Sequence, residues 1–151
     1  MDPLSPIEVF KFCREEIKHE YNVLGNRLTS YITSQSFLFT TYGVSMQNPN
    51  ATWGITFRLA FPLIVCTVGI LTSIRATPGI QSVCAILDSL HTRQYKMYED
   101  PQVRTLDPTD AKWIMDIHKE SLKFAGLASY IFGVAWIALL VLALYVYFRS
   151  V

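Results

Sequence analysis

The longest uncharged stretch of the chain runs from Phe124 to Phe148, and it limits the folds that the sequence can adopt. A helix needs about 20 predominantly apolar residues to cross the hydrocarbon core of a bilayer, and this stretch is long enough. Tyr145 and Tyr147 lie near its end, as is typical of a membrane interface. A chain of 151 residues has little other material with which to wrap such a helix in a soluble core. The stretch therefore predicts a membrane-spanning helix.

Two earlier segments share the shortage of charge, because Arg58 is the only charged residue between positions 28 and 74. Residues 57–74 are rich in aliphatic side chains, whereas residues 28–46 are uncharged but rich in hydroxyl groups. The turn-forming run from Gln47 to Asn50 predicts that these segments form a helical hairpin, and Pro78-Gly79 predicts a kink or break beyond it. Charged residues make up 17% of the chain, below the roughly 25% of soluble domains.

The sequence thus predicts an all-α integral membrane protein with three transmembrane helices, extended cytoplasmic helices and assembly into a homo-oligomer. We divide it into a cytoplasmic N-terminal helix (1–27), a transmembrane hairpin (28–75), a cytoplasmic helical segment (76–123) and a third transmembrane helix (124–149). Lys and Arg are concentrated in the first and third of these parts. The positive-inside rule therefore predicts a multi-pass protein of the cell inner membrane, with the C-terminus outside.

The N-terminal segment carries the signals of a long helix. Ser5 can cap it, with Pro6 at the first helical position and Glu8 three residues after the cap. Apolar residues then recur every seven positions, and we interpret them as a stripe for a partner helix in an oligomer: Phe10, Ile17, Leu24 and Tyr31.

The first predicted span carries hydroxyl side chains on one side of the helix. We call these residues the hydroxyl face: Thr29, Ser30, Thr33, Ser34, Ser36, Thr40, Thr41 and Ser45. Phe37 and Val44 are the apolar residues within it, and Gln35 is the polar residue on the opposite, apolar side.

Two interpretations of the hydroxyl face stay open. Serine and threonine can bond to their own backbone, and small polar residues favour close helix packing. Alternatively, several copies of the chain surround a water-filled pathway, which hydrophobic rings of Phe37 and Val44 close by dewetting. The predicted pore-lining residues are Thr29, Thr33, Ser36, Phe37, Thr40 and Val44.

The sequence offers no constellation of residues that favours catalysis. His19, His91 and His118 are far apart along the chain, and we interpret His118 as facing solvent. The three cysteines lack the spacing of metal ligands. We therefore expect no enzymatic activity, no cofactor and no metal.

Four basic residues are predicted near the inner membrane surface: Arg27, Arg75, Lys119 and Lys123. One interpretation is that they set topology and contact anionic lipid headgroups. The other is a basic ring, repeated by symmetry, that binds an anionic ligand such as a nucleotide or oligonucleotide. In that case Tyr95, Tyr98 and Trp113 would supply stacking surfaces.

A short part of the chain resembles a segment of small bacterial membrane proteins: Asn26-Arg27-Leu28-Thr29, then Ser34-Gln35-Ser36-Phe37-Leu38-Phe39 and Tyr42. The size, the cytoplasmic segment and this span are similar to the membrane effector of the Hailong antiphage defence system. The resemblance implies a tetrameric ion channel that a bound DNA oligomer holds shut, and a partner nucleotidyltransferase that makes the oligomer. None of that family's ligand-binding motifs is matched residue by residue.

We therefore expect an oligomeric gated ion channel that acts as a membrane effector in antiphage defence and is controlled by an anionic nucleotide or oligonucleotide. Its predicted partners are further copies of itself and the lipid bilayer. The alternative is a non-conducting scaffold or regulatory subunit whose hydroxyl face packs on the helices of a different membrane protein.

Overall fold

The computed structural model describes residues 5–47, 54–105 and 111–150, and the side chains of residues 5–46, 60–105 and 116–149. Within these residues the chain forms helices and no strand. The helices are α1 (Pro6–Gln47), α2 (Gly54–Met97), α3 (Pro101–Arg104) and α4 (Ala111–Ser150). The predicted all-α fold is confirmed for this part of the chain, while the predicted hairpin loop falls largely outside it.

Helix α1 begins as the sequence predicts. Ser5 Oγ accepts a hydrogen bond from the Glu8 backbone N–H at 3.3 Å, and Glu8 Oε2 accepts one from the Ser5 N–H at 2.9 Å. This reciprocal pair satisfies two backbone donors at a helix start. The bonds that Glu8 Oε2 accepts from the Ser5 backbone N–H and from the Ser5 hydroxyl lower the pKa of the exposed Glu8 carboxyl, since they favour its charged form.

Helix α2 continues through Pro78-Gly79, so the predicted break does not occur. A proline inside a helix removes one backbone donor. Side chains add bonds to this stretch, since Thr77 Oγ1 donates to the Ser73 carbonyl at 2.8 Å and the Arg27 guanidinium donates to the Gly79 carbonyl. Pro62 also lies inside α2, where it is buried.

The chain divides into two compact units. The first unit comprises Met1–Leu28 and Gly79–Gly126, and the second comprises Thr29–Pro78 and Leu127–Val151. Helices α1, α2 and α4 each contribute residues to both units. The cytoplasmic and transmembrane assignments of the four predicted segments stay predictions.

The core of the first unit contains three of the four residues of the apolar stripe of α1. Phe10 meets Tyr98 edge-on with ring centroids 5.5 Å apart, and the Cys13 thiol donates to the Leu90 carbonyl at 3.8 Å. The interpretation of the stripe as a free surface for a partner helix is therefore wrong, because α2 of the same chain packs against it. The stripe residues of this unit are all buried: Phe10, Ile17 and Leu24.

The core of the second unit is built around Trp136. Its indole is fully buried, stacks on Phe39 with centroids 4.4 Å apart, and lies directly over Gly69. A β-carbon at position 69 would lie 2.3 Å from Trp136 Cε2, so only glycine allows this approach. The other buried members of the cluster are Tyr42, Val65 and Cys66.

Two helices are long and apolar enough to cross a membrane, judged by length and composition among the described residues. They are Ala60–Met97, with mean hydropathy 1.6, and Asp116–Arg149, with mean hydropathy 2.4. Only 28% and 11% of their most apolar windows are buried within the chain, whereas a soluble core helix would be mostly buried. Each exceeds the about 20 residues of one crossing. The uncharged parts of these two helices, residues 60–74 and 124–148, are the candidate membrane spans discussed below. The hydroxyl-rich span 28–46 stays a prediction.

Candidate functional site

The hydroxyl face lies on the outer side of α1 in the second unit. Every member except the half-buried Ser45 is exposed. Phe37 and Val44 are exposed as well, by 71% and 63% of their surfaces. The structure thus places all six predicted pore-lining residues on one exposed side, which α2 and α4 of the same chain leave uncovered.

Five of the eight hydroxyl groups of this face donate to the backbone of their own helix. Ser36 Oγ donates to the Ile32 carbonyl and Thr40 Oγ1 donates to the Ser36 carbonyl, both at 2.9 Å. Thr41 Oγ1 donates to the Phe37 carbonyl at 2.8 Å. Each of these bonded hydroxyls thereby uses its single proton inside the helix, while its oxygen keeps acceptor capacity on the outer side. Such a face tolerates both water and a neighbouring helix.

The opposite side of α1 is fixed by a buried polar network that centres on Gln35. The Trp136 indole N–H donates to Gln35 Oε1 at 2.5 Å, and Gln35 Nε2 donates to Thr72 Oγ1 at 3.0 Å. Tyr31 Oη lies 2.9 Å from Ser73 Oγ in a further bond between α1 and α2. Buried amides and indoles that lose such partners destabilise a fold by about 1–3 kcal/mol. The network therefore determines which side of α1 turns inward and leaves the hydroxyl face outward.

The four predicted ligand-binding residues are all exposed. Arg27 donates to the Gly79 carbonyl, and Lys123 pairs with Glu120 at 2.6 Å on the same helix. Arg27, Lys119 and Lys123 belong to the first unit and Arg75 to the second. Their convergence in a basic ring stays a prediction.

The structure brings together a histidine cluster that the sequence analysis missed. Tyr21 Oη of α1 lies 3.1 Å from His91 Nε2 of α2 and 2.9 Å from His118 Nδ1 of α4. The two imidazoles are stacked with centroids 4.2 Å apart and an interplanar angle of 18°. His91 is buried and His118 half-buried, so the interpretation of His118 as facing solvent is wrong. No sequence signal joins residues that are 70 and 97 positions from Tyr21.

Burial sets the protonation of this histidine cluster. It lowers the pKa of His91, and the neighbouring His118 lowers it further, whereas Gln94 and Asp88 act weakly in the opposite direction. Burial also lowers the pKa of His118 and raises that of Tyr21. All three groups therefore favour their neutral forms, which suits a site partly removed from water.

A cavity of about 480 Å³ opens beside the histidine cluster in the first unit. Its size is within the roughly 300–1,000 Å³ of small-molecule sites. The three residues of the histidine cluster line this cavity together with two cations, Arg14 and Lys18, and one carboxylate, Glu15. This mixed charge indicates no single class of ligand. Among the described residues, no group of three His, Cys, Asp or Glu side chains could hold a metal ion.

The fold and these surfaces define an all-helical protein with two helices long and apolar enough to span a membrane. Comparison of the chain with protein-family models, with curated proteins and with solved structures gives no match.

Proposed function

We propose that the chain is a multi-pass protein of the inner membrane that assembles from several copies into a gated ion channel. The hydroxyl face of α1 lines the pore, and Phe37 with Val44 closes it by excluding water. The carrying observation is that this face is exposed in the single chain while the inner side of α1 is held by Gln35 and Tyr31. One chain cannot enclose a pore, so copies related by cyclic symmetry must share the face.

The chemical contrast between the outer surfaces of the second unit supports this arrangement. The exposed side chains of α4 are apolar over its whole span, and they include Leu127, Val134 and Val141. Such a surface suits lipid tails. The hydroxyl face offers oxygen acceptors instead, which water satisfies and lipid does not. Lipid on the apolar side and water on the hydroxyl side is therefore the arrangement in which both surfaces are solvated.

The resemblance to the Hailong effector extends the proposal to control and role. In this extended proposal, residues 1–27 and 76–123 of the chain lie in the cytoplasm. There an anionic nucleotide or oligonucleotide binds the predicted set of Arg27, Arg75, Lys119 and Lys123. The ligand comes from a partner nucleotidyltransferase and holds the channel shut. Release from the ligand opens the channel, which depolarises the cell.

Ion flux from liposomes tests the pore assignment. The variant Phe37→Ser replaces the proposed gate by a hydroxyl and should raise the flux of K⁺ through the closed channel at least about tenfold, since lowering the barrier by about 1.4 kcal/mol already gives that factor. The matched control is Phe124→Ser, which removes an aromatic ring of similar exposure, 69% against 71%, from α4. Phe124→Ser should leave the flux at the level of the unchanged protein.

Two results would overturn the pore assignment. If neither the unchanged protein nor Phe37→Ser passes ions, the chain is not a channel. If Phe124→Ser leaks as much as Phe37→Ser, the hydroxyl face is not the pore wall.

The second candidate is a non-conducting scaffold or regulatory subunit. It is favoured by one observation, that hydroxyls such as those of Ser36 and Thr40 already donate to their own helix and so permit dry packing. Purification separates the two functions. A stable assembly of this chain alone supports the channel, while dependence on a different membrane protein supports the subunit.

A further inference from the structure

The histidine cluster joins three helices of the first unit through one hydroxyl group. Tyr21 comes from α1, His91 from α2 and His118 from α4. One nitrogen of each imidazole, His91 Nε2 and His118 Nδ1, lies within 3.1 Å of Tyr21 Oη. One nitrogen of each ring approaches the same hydroxyl oxygen, so the geometry suits the sharing of protons.

The direction of the hydrogen bonds in the cluster depends on its protons. A neutral tyrosine has one proton to donate, so it can bond to the bare nitrogen of one imidazole only. The second imidazole must then donate its own N–H to Tyr21 Oη. With both imidazoles neutral this arrangement is complete. With both protonated, Tyr21 Oη can still accept from the two N–H groups, but its own proton then has no imidazole acceptor and two positive charges lie on rings 4.2 Å apart.

The surroundings do little to offset that repulsion. The titratable and charged groups that face the cluster are Arg14, Glu15 and Lys18 of α1 together with Cys84, Asp88 and Tyr98 of α2. On α4, Lys119 and Glu120 follow His118 in sequence and are exposed. Arg14 and Lys18 oppose a further positive charge, while Glu15 and Asp88 favour it. Burial of the two imidazoles then decides the balance against protonation.

We propose that Tyr21, His91 and His118 form a proton-controlled contact, which holds α1 to α2 and α4 within the first unit when both imidazoles are neutral. Protonation of the pair places two like charges in this contact and loosens this part of α1. Free histidine titrates at about pH 6.5 and both imidazoles have a lowered pKa in the fold, so the contact responds to pH below about 6.5.

The sign of the effect follows from proton linkage. Both imidazoles have a lowered pKa in the folded chain, so the unfolded chain binds more protons. The contribution of the contact is therefore complete above about pH 6.5 and is lost as the pH falls through the lower folded pKa values.

A consequence for conductance rests on the proposed function. Helix α1 is continuous from Pro6 to Gln47, so Tyr21 and the proposed gate at Phe37 belong to one helix. Loosening of the first half of α1 should then change the probability that the channel is open. The loosening itself does not depend on whether the chain conducts.

Hydrogen exchange of the full chain in detergent micelles tests the contact. Amides of residues 14–28 should lose at least about tenfold in protection between about pH 7.5 and pH 5.5, after correction for intrinsic exchange, because one pKa unit corresponds to a factor of ten. The double variant His91→Gln with His118→Gln carries neutral side chains at every pH and should lose this dependence. The matched control, His19→Gln, removes an exposed histidine of the same helix and should retain it.

The proposal is overturned if the unchanged protein shows no such loss of protection, or if the double variant shows the same loss. NMR titration of the unchanged protein provides a second measurement that does not require the double variant to fold. With signals assigned by the single variants, the imidazoles of His91 and His118 should both titrate below about pH 6.5. Titration of either one above that value contradicts the proposal.

The same variants separate this inference from the proposed function. An effect of pH on ion flux that disappears in the double variant supports both. Exchange that depends on pH without any ion flux, even with Phe37→Ser, supports the proton-controlled contact and refutes the channel.

Discussion

Gly69 is the position at which the smallest change should have the largest effect on the second unit. In Gly69→Ala, the added β-carbon would lie 2.3, 2.4 and 2.6 Å from three atoms of the Trp136 indole. Carbon atoms in good contact are about 3.5–4.0 Å apart, so the ring must move by more than about 1 Å. The indole is fully buried and stacks on Phe39, so no open space receives it.

Three physical effects contribute to the change in the free energy of unfolding of Gly69→Ala. Overpacking of a close-packed core costs about 1–3 kcal/mol. Displacement of the indole breaks its bond to Gln35 Oε1 and leaves buried polar groups without partners, which costs a further 1–3 kcal/mol or so. Replacing glycine by alanine within a helix offsets about 0.5–1 kcal/mol of this loss. We expect a net destabilisation of about 3 kcal/mol, which corresponds to a fall in Tm of about 6–12 °C for a chain of this length.

A thiol-reactive dye reports the unfolding directly, because the Cys66 side chain is fully buried in the same cluster as Trp136. The assay follows dye fluorescence as the purified protein is heated in detergent micelles. Gly43→Ala is the matched control in the second unit, since its added β-carbon meets no atom within 4 Å. It should melt at the same temperature as the unchanged protein or slightly higher.

The reasoning is refuted if Gly69→Ala and Gly43→Ala melt together. A double-mutant cycle provides a further check. Trp136→Leu removes the ring that the new methyl group meets, so Gly69→Ala should cost much less in that background than in the unchanged protein.

Two further predictions use the same thermal assay. Tyr31→Phe removes the bond to Ser73 while the Ser73 hydroxyl still donates to the Gly69 carbonyl, so Tm should fall by the equivalent of about 0.5–1.5 kcal/mol. The unchanged protein should lose Tm as the pH falls below about 6.5, because His91 and His118 have lowered pKa values in the folded state and protons bind preferentially to the unfolded chain. This loss should be smaller when both histidines are replaced by glutamine, and an equal loss would contradict the linkage.

The sequence by itself determined the features that depend on neighbours along the chain. Helix periodicity predicted an all-α fold, which is confirmed for the described residues, and an apolar stripe through Phe10, Ile17 and Leu24, which is buried within the same chain. The capping bonds of Ser5 and Glu8 are confirmed as well. Hydropathy is likewise a local property, and two of the three spans that it predicted correspond to helices long and apolar enough to span a membrane.

Only the tertiary structure decided which surfaces meet. The stripe that the sequence analysis assigned to a partner is covered by α2 of the same chain, because periodicity identifies an apolar side but not its occupant. Gln35 was an unexplained polar residue until Trp136, 101 positions away, supplied its donor. The histidine cluster could not be predicted from the sequence either, since Tyr21, His91 and His118 come from three separate helices. Hydrogen bonds and close contacts act over a few ångströms in space, so they appear only once the helices have been brought together.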